Sequence, residues 1–479
     1  MTLNRAARKM GGGWQGHLAS LGLAVAVAVG LGGCASDTGL APESHPVKLP
    51  QMAAGSIDRL WWKRFGDPGL DALMEQALRG SPDIAAAEAR IRLAGSQGRL
   101  AVAALNPSYA IDAAAQREEF SALGYFPPPI GGTIFNLGTL QADFVWDLDW
   151  WGKHRAVYRL AAGEMAQARA QADEAQLALG VNLVRAYFAL QADSIRLGLL
   201  RREQRDGHTL FVLERDRRKA GLASDEPVRP AQAAVFRLDR QAEALGAQVR
   251  AERLMIAALM GQPPQAADAI HVGERTAVPQ IPATLPADRI GLRPDVAMLR
   301  AEIGMASANI TLAKIQFYPD VNLSGFAGVQ SIGFENMFRS GSQMFGVGPA
   351  FHLPIFDNSS LRAGLARRDA EYDMAVQTYN RKVIDAMREA ADASLRFQSL
   401  DGEMRAQRRV IVSLDAARSL AQSRYAGGLD TGLPVLRVGM AGLGARADAV
   451  ELHRRRLDAV VDIVQAMGGW PQSTTDKSQ

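Results

Sequence analysis

Two stretches of this 479-residue chain repeat each other in order, and that duplication limits the possible folds more than any other feature. Ser81 to Ile91 reads SPDIAAAEARI, and Arg293 to Ile303 reads RPDVAMLRAEI. Pro82/Pro294, Asp83/Asp295, Ala85/Ala297, Ala89/Ala301 and Ile91/Ile303 therefore match at an offset of 212 (294 − 82), which Pro107/Pro319 keeps. Farther on, Arg217/Arg424, Gly221/Gly428, Leu222/Leu429, Met260/Met467 and Gly261/Gly468 match at 207 (428 − 221). A shorter loop in the second half absorbs the difference. Each half reads as short helix, two strands, long helix, tight turn, long helix.

Proline placement supports this grammar. None occurs from Ile130 to Glu226, from Ile355 to Leu433, or from Val435 to Trp470. An interior proline costs a helix about 3 kcal/mol, so these segments can be long and unbroken. A continuous helix over Ala156 to Lys219 would rise on the order of 90 Å. Its apolar residues Leu177, Val181, Val184, Phe188 and Ile195 step by threes and fours, with Gln191 in a gap. Val235, Leu238, Ala242, Leu245, Val249, Ile256 and Leu259 do the same around Glu252, and Leu443, Ala447, Val450, Leu457, Val461 and Val464 around Arg454. These are coiled-coil seams.

Between the short and long helices the period changes to two. Leu140, Ala142, Phe144, Trp146, Leu148 and Trp150 share one face, and Gln141, Asp143, Val145, Asp147 and Asp149 the other. Ten or so alternating residues with aromatics at one end fit a strand between lipid and water, although a sandwich strand with one wet face fits equally well when taken singly. The partner strands alternate less cleanly. They are placed at about 108–119, 320–331 and 343–355, with 139–150 as the second of the four; Phe345, Val347, Pro349, Phe351, Leu353 and Ile355 share a face, and Pro349 and Pro354 mark ends or bends. Loops at 120–138 and 331–343 join the hairpins. Four strands cannot close a barrel, for which about eight is the smallest useful number. Open sheet edges leave backbone groups unpaired in hydrocarbon. Self-assembly is therefore required, and a homotrimer would give a 12-stranded barrel. The expected fold class is mainly α with a β-barrel segment: a duplicated unit of long antiparallel coiled-coil helices and four strands per chain.

The amino terminus reads as a signal. Arg5, Arg8 and Lys9 precede an apolar run from Leu18 to Gly30, then Leu31-Gly32-Gly33 and Cys34. The run is too short to span a membrane as a helix. Its ending resembles a bacterial lipobox, and Cys34 is the only cysteine, so Cys34 is the expected site of a diacylglyceryl and an N-acyl lipid. Acyl chains contribute roughly 0.8 kcal/mol per buried methylene. Removing the three basic signal residues takes Lys+Arg from 54 to 51 against 50 Asp+Glu, a neutral chain with no electrostatic footprint for nucleic acid. A lone cysteine leaves no disulfide or thiolate–metal framework, the seven histidines are scattered, and the sixteen methionines are dispersed. No zinc-protease motif, nucleophile elbow or phosphate-binding loop occurs, so no catalytic residue, metal or other cofactor is expected. His453-Arg454-Arg455-Arg456 reads as a surface turn.

Four short segments in order carry a family resemblance: WWKRFGDPGLDALMEQAL (Trp61 to Leu78), WDLDWWGKHRA (Trp146 to Ala156), LPIFDN (Leu353 to Asn358) and MGGW (Met467 to Trp470). With the duplication, the chain resembles the TolC-like outer-membrane efflux channel family, in its lipoprotein branch. The resemblance implies a passive outer-membrane duct of a tripartite efflux pump in a Gram-negative envelope. It also implies a periplasmic adaptor protein and an inner-membrane pump of the resistance-nodulation-division type as partners, beside the outer-membrane lipid. A protein-secretion duct is the alternative use, and a coiled-coil envelope tether without a pore is the alternative of another class. Ala35 after the cysteine is similar to lipoproteins sorted onward to the outer membrane.

The resemblance places two hairpin tips at RKAGLAS (Arg218 to Ser224) and RYAGGLD (Arg424 to Asp430), near 220–226 and 427–433. Sharp helix reversal needs a positive φ, which glycine supplies. Gly221, Leu222, Ser224, Gly428 and Leu429 are the implied adaptor contacts, and Asp430, with Asp225 second, the implied aperture carboxylates. One departure stands out: the family's Leu-Asp-Ala-Gln becomes Leu436-Arg437-Val438-Gly439. An aspartate gate ring therefore cannot be carried over to Arg437, which is a third aperture candidate, as part of a different ring or in an ion pair to a tip acid. The expected organisation is a signal at 1–33, a lipid-linked extension at 34–60, a first repeat at 61–280 and a second at 281–479.

Overall fold

The computed structural model describes residues 36–48, 58–124, 127–273, 275–282, 285, 287–352 and 357–470. Cys34 and most of the LPIFDN junction lie outside them. In chain order the elements are helices α1 (Pro68–Gly80) and α2 (Pro82–Ala103), strands β1 (Ser108–Glu119) and β2 (Ile134–Asp147), then helices α3 (Lys153–Lys219) and α4 (Val228–Leu259). The second half repeats them with α5 (Pro294–Ile315), β3 (Asp320–Ile332), β4 (Gln343–His352), α6 (Asn358–Ala426) and α7 (Leu433–Ala466). The matched prolines open α2 and α5, which are both 22 residues long. Proline suits that first helical position because its missing N–H would have had no partner there.

The chain divides into two compact units. One comprises residues 1–46, 92–166 and 300–378, and holds the four strands. They form one antiparallel sheet in the order β1-β2-β3-β4, with β1 and β4 at its edges. Tyr109 sits opposite Phe144, Phe144 opposite Gly325 and Gly325 opposite Val347, so these share a face. Ile111, Ala142, Trp146, Leu323, Phe345, Pro349 and Phe351 lie on that same face by register. The opposite face carries Asp112, Gln141, Asp143, Asp147, Asn322 and Ser324, with Val145, Phe326 and Met344 among them.

Strand ends differ from the expected ones. β2 begins at Ile134, so residues 134–138 pair with β1 instead of belonging to the loop. It stops at Asp147, because Asp149 adopts a positive φ of 47° that turns the chain toward α3. Leu148 and Trp150 thus leave the alternation that the sequence extended to them. β4 is described as far as His352, and the expected end at 355 lies outside the described residues.

The other unit comprises residues 47–91, 167–299 and 379–479. Its core gathers Trp61, Trp62 and Phe65 against Leu70, Phe188, Leu457 and Trp470. The Phe65 and Trp470 rings meet edge-on at 6.4 Å, which joins the opening and closing signature segments in one cluster. Asp67 organises the edge of this core. It caps α1 by accepting from the Gly69 and Leu70 amides, and takes hydrogen bonds from Tyr187 (2.9 Å) and Thr276 (2.6 Å). The seam positions Val181, Val184, Leu238, Val249, Ile256, Leu457 and Val461 are buried, as the heptad spacing requires. Among the described residues no helix is long and apolar enough to cross a membrane.

Candidate functional site: helical tips and sheet face

At each tip the local geometry follows from one glycine. α3 ends with the Leu222 amide donating to the Arg217 carbonyl (2.9 Å) and the Gly221 amide to Arg218 (3.0 Å), with Gly221 at φ 71°. α6 ends in the same way: Leu429 donates to Arg424 (2.9 Å) and Gly428 to Tyr425 (3.0 Å), with Gly428 at φ 69°. This pair of hydrogen bonds is a Schellman cap, which satisfies helix-end carbonyls and needs a left-handed residue. It leaves Leu222 and Leu429 outside the helices, 71% and 76% exposed. The two repeats thus expose an apolar side chain at the same place. Ser224 lies in the same short connection, before α4.

The acidic tip residues are each held by a tip arginine. Asp225 accepts from Arg218 at 2.5 Å, and that hydrogen bond is the first reason its carboxyl sits below the ordinary carboxylate range. Asp430 lies 3.4 Å from Arg424 Nε and accepts the Thr431 amide at 2.8 Å. Arg437 faces neither. Its guanidinium donates at 2.8 Å to Glu214, a carboxylate on α3 that is 1% exposed and also lies 3.4 Å from Arg217. The expected ion pair from Arg437 to a tip acid is not formed; Arg437 pairs instead with Glu214, which stands on the helix before the tip. The sequence offered no direct sign of Glu214, since one acid among Arg215, Arg217 and Arg218 reads as a solvated turn.

The three seam interruptions are also explained. Gln191 donates to the Gly273 carbonyl (3.0 Å) and the Thr276 hydroxyl (3.2 Å), which ties α3 to the segment between the repeats. Arg454 donates twice to Glu451 and once to Asp458 (2.6 Å). Glu252 is pushed up to about 7, first by burial and then by the neighbouring Asp193. Burial likewise pushes Asp458 up to about 6 against the pull of Arg454 and Arg185. Gln191 thus finds its partners in the segment before the second repeat, and Arg454 finds its partners along its own helix.

Among the described residues no cluster of His, Cys, Asp and Glu has a metal-binding arrangement. In the sheet, the apolar residues of the edge strands are the least covered: Tyr109, Ile111, Phe345 and Val347 are each at least 75% exposed. A two-faced antiparallel sheet with wet and apolar sides, joined to long helices that end in matched exposed tips, defines a membrane-inserted helical duct component. The sequence model of the outer membrane efflux protein family matches residues 73–262 and 285–469, one match to each repeat. The chain belongs to that family, and its place of action is the outer membrane. It is 28% identical over 427 residues to the multidrug resistance outer membrane protein MdtP of Escherichia coli K12, covering 86% of each chain. The outer membrane protein VceC of Vibrio cholerae superimposes with a TM-score of 0.78 at 28% identity, covering 87% of this chain and all of that one. The outer-membrane channel OprN gives 0.78 at 25% identity over 91% and 98%.

Proposed function

We propose that this protein is the passive outer-membrane channel of a tripartite efflux system, formed by three copies of the chain. One observation carries the reading: the sheet has only four strands, and its edge strands β1 and β4 expose an apolar face. Such a sheet is unstable in hydrocarbon until its edges are paired. Three copies meet the demand with twelve strands, above the roughly eight that a barrel needs. The polar face, with Asp112, Asp143 and Asp147, then lines water, and Tyr109, Phe144, Trp146 and Phe351 face lipid.

Gly221, Leu222, Ser224, Gly428 and Leu429 form the surface that meets a periplasmic adaptor, which couples the duct to an inner-membrane pump of the resistance-nodulation-division type. Asp430 and Asp225 set the charge of the aperture, while the Arg437–Glu214 pair holds the two repeats together beside it. The cargo is small molecules, in keeping with the multidrug resistance named for MdtP. The duct has no catalytic step and needs no cofactor; acyl lipid at Cys34 holds it in the membrane. Two measurements test this. The purified protein should migrate as a trimer in mild detergent and as a monomer after heating, and it should conduct ions in planar bilayers. A water-soluble monomer without conductance would exclude the channel and leave a coiled-coil tether.

A further inference from the structure

Within the strand-bearing unit, a cavity of about 420 Å³ opens where the ends of α5, β2 and β3 meet the first turn of α6. Trp150, Leu312, Ile315, Tyr318, Val321 and Leu361 supply its apolar lining. Polar groups stand at its margin: Lys153 bridges Asp147 (3.1 Å) and Asp320 (3.7 Å), the Trp151 indole N–H donates to the Pro319 carbonyl (2.8 Å), and Gln316, His352 and Asp357 are also in the lining. The volume falls in the small-ligand range of roughly 300–1,000 Å³.

The amino-terminal segment leads to this cavity. Its residues 36–47 run along α6 in the same direction as the helix. Arg362 donates to the Ser36 and Thr38 carbonyls, Asp373 accepts the Glu43 and Ser44 amides, and Asn380 accepts the Val47 amide. Leu40 packs beside Ile310, Ala313, Phe317 and Leu365, a cluster that shares Leu361 with the cavity. Traced backward, the segment therefore heads for the first turn of α6, where the cavity opens. Cys34 is two residues before Ser36, a span of at most about 7 Å. An acyl chain that covers one leaflet of a ~30 Å hydrocarbon core reaches roughly 15 Å farther.

We infer that this cavity receives one acyl chain of the lipid carried by Cys34. The inference rests on the reading of Cys34 as a lipidated residue. A chain seated there replaces water against apolar walls with close dispersion contacts. It also fixes the anchor at the level of Trp150, Trp151 and Tyr318, aromatics of the kind that mark a membrane interface. The anchor is then part of the fold and not a tether on a loose leader.

The test uses the full chain in cells fed a fatty acid bearing a photoreactive diazirine. After irradiation of membranes, the Cys34 peptide should carry the probe and be cross-linked to peptides containing Leu312 to Tyr318 or Leu361. Ile315→Asp places a carboxylate in the lining and should cut those cross-links about tenfold, the factor that roughly 1.4 kcal/mol of lost affinity gives. Probe incorporation at Cys34 should stay unchanged in that variant. A Cys34 peptide without acyl groups overturns the lipoprotein reading and the inference with it. A labelled Cys34 peptide cross-linked only to phospholipid or to other protein segments overturns the cavity assignment alone. So does probe-bearing phospholipid, instead of the Cys34 peptide, joined to the cavity peptides.

Discussion

Arg437 on α7 donates a 2.8 Å hydrogen bond to Glu214 on α3, and so ties the second repeat to the first through a carboxylate that water does not reach. The pair is lopsided, because Arg437 stays largely exposed while Glu214 is buried. Losing the arginine leaves the buried charge to Arg217 alone. Arg437→Ala should cost about 1–3 kcal/mol, the usual penalty for depriving a buried group of a partner. Arg437→Asp sets two carboxylates together and should cost more. Glu214→Gln combined with Arg437→Asp should recover much of that loss. Thermal denaturation in detergent reads all three, and equal stability for Arg437→Ala and Arg437→Asp would exclude the pairing.

In the proposed channel, Asp430 contributes one carboxylate per copy to the aperture. Three around an axis attract cations and repel anions, as charged rings in pores do. Asp430→Ala should lower cation selectivity in planar bilayers, measured as the reversal potential in a salt gradient. An unchanged potential removes Asp430 from the conduction path.

The tip leucines predict a different phenotype. Leu222→Asp and Leu429→Asp change residues that already stand in water, so the protein should assemble and conduct as before. Drug resistance should fall in cells relying on this channel, because the proposed apolar contact with an adaptor would become a buried charge. Full resistance with both substitutions present would remove these leucines from the partner surface.

Two cap glycines separate backbone strain from crowding. Gly221 (φ 71°) has open space where a Cβ would go, so Gly221→Ala should cost only the left-handed penalty of about 1–2 kcal/mol. Gly261 (φ 69°) lies against Gly80, and a Cβ there would come 2.3 Å from the Gly80 carbonyl oxygen. Gly261→Ala should therefore be the more destabilising, with the gap visible in melting temperature.

Asp458 gives a pH dependence with a definite sign. Its carboxyl, pushed up from 3.8 to about 6 by burial, keeps a proton in the folded state that the unfolded chain releases. Between about pH 4 and pH 6 the folded state binds more protons, so stability is full below the window and declines as pH rises through it. Every tenfold difference in proton affinity between the two states is worth roughly 1.4 kcal/mol. Asp458→Asn should remove that contribution in melting scans across the window; a variant whose pH dependence matches the parent's would contradict the assignment.

Periodicity made much of this architecture legible. The matched prolines locate α2 and α5, and the glycines at 221 and 428 locate both reversals, because each has a single dominant conformational use. The seams around Val184, Leu238 and Val461 were readable because burial at a fixed helical step leaves a direct trace. Strand ends were less so: nothing in alternation alone marks Asp149 as the residue that turns the chain, since its neighbours continue the pattern. The Asp67–Tyr187–Thr276 hub and the Arg437–Glu214 pair were hidden for another reason. Their members are far apart in sequence, and a charged or polar residue looks the same in a list whether its partner is water or a distant helix.

The order of the strands has a further consequence for assembly. The free borders belong to different strands, β1 and β4. Copies that face the same way across the membrane must therefore each offer one border to a neighbour and accept the opposite border from another. Closure is then a property of the ring and not of any pair. A single subunit with a damaged β1 would halt the circuit even when its companions are intact, so a defective allele would act dominantly over a sound one.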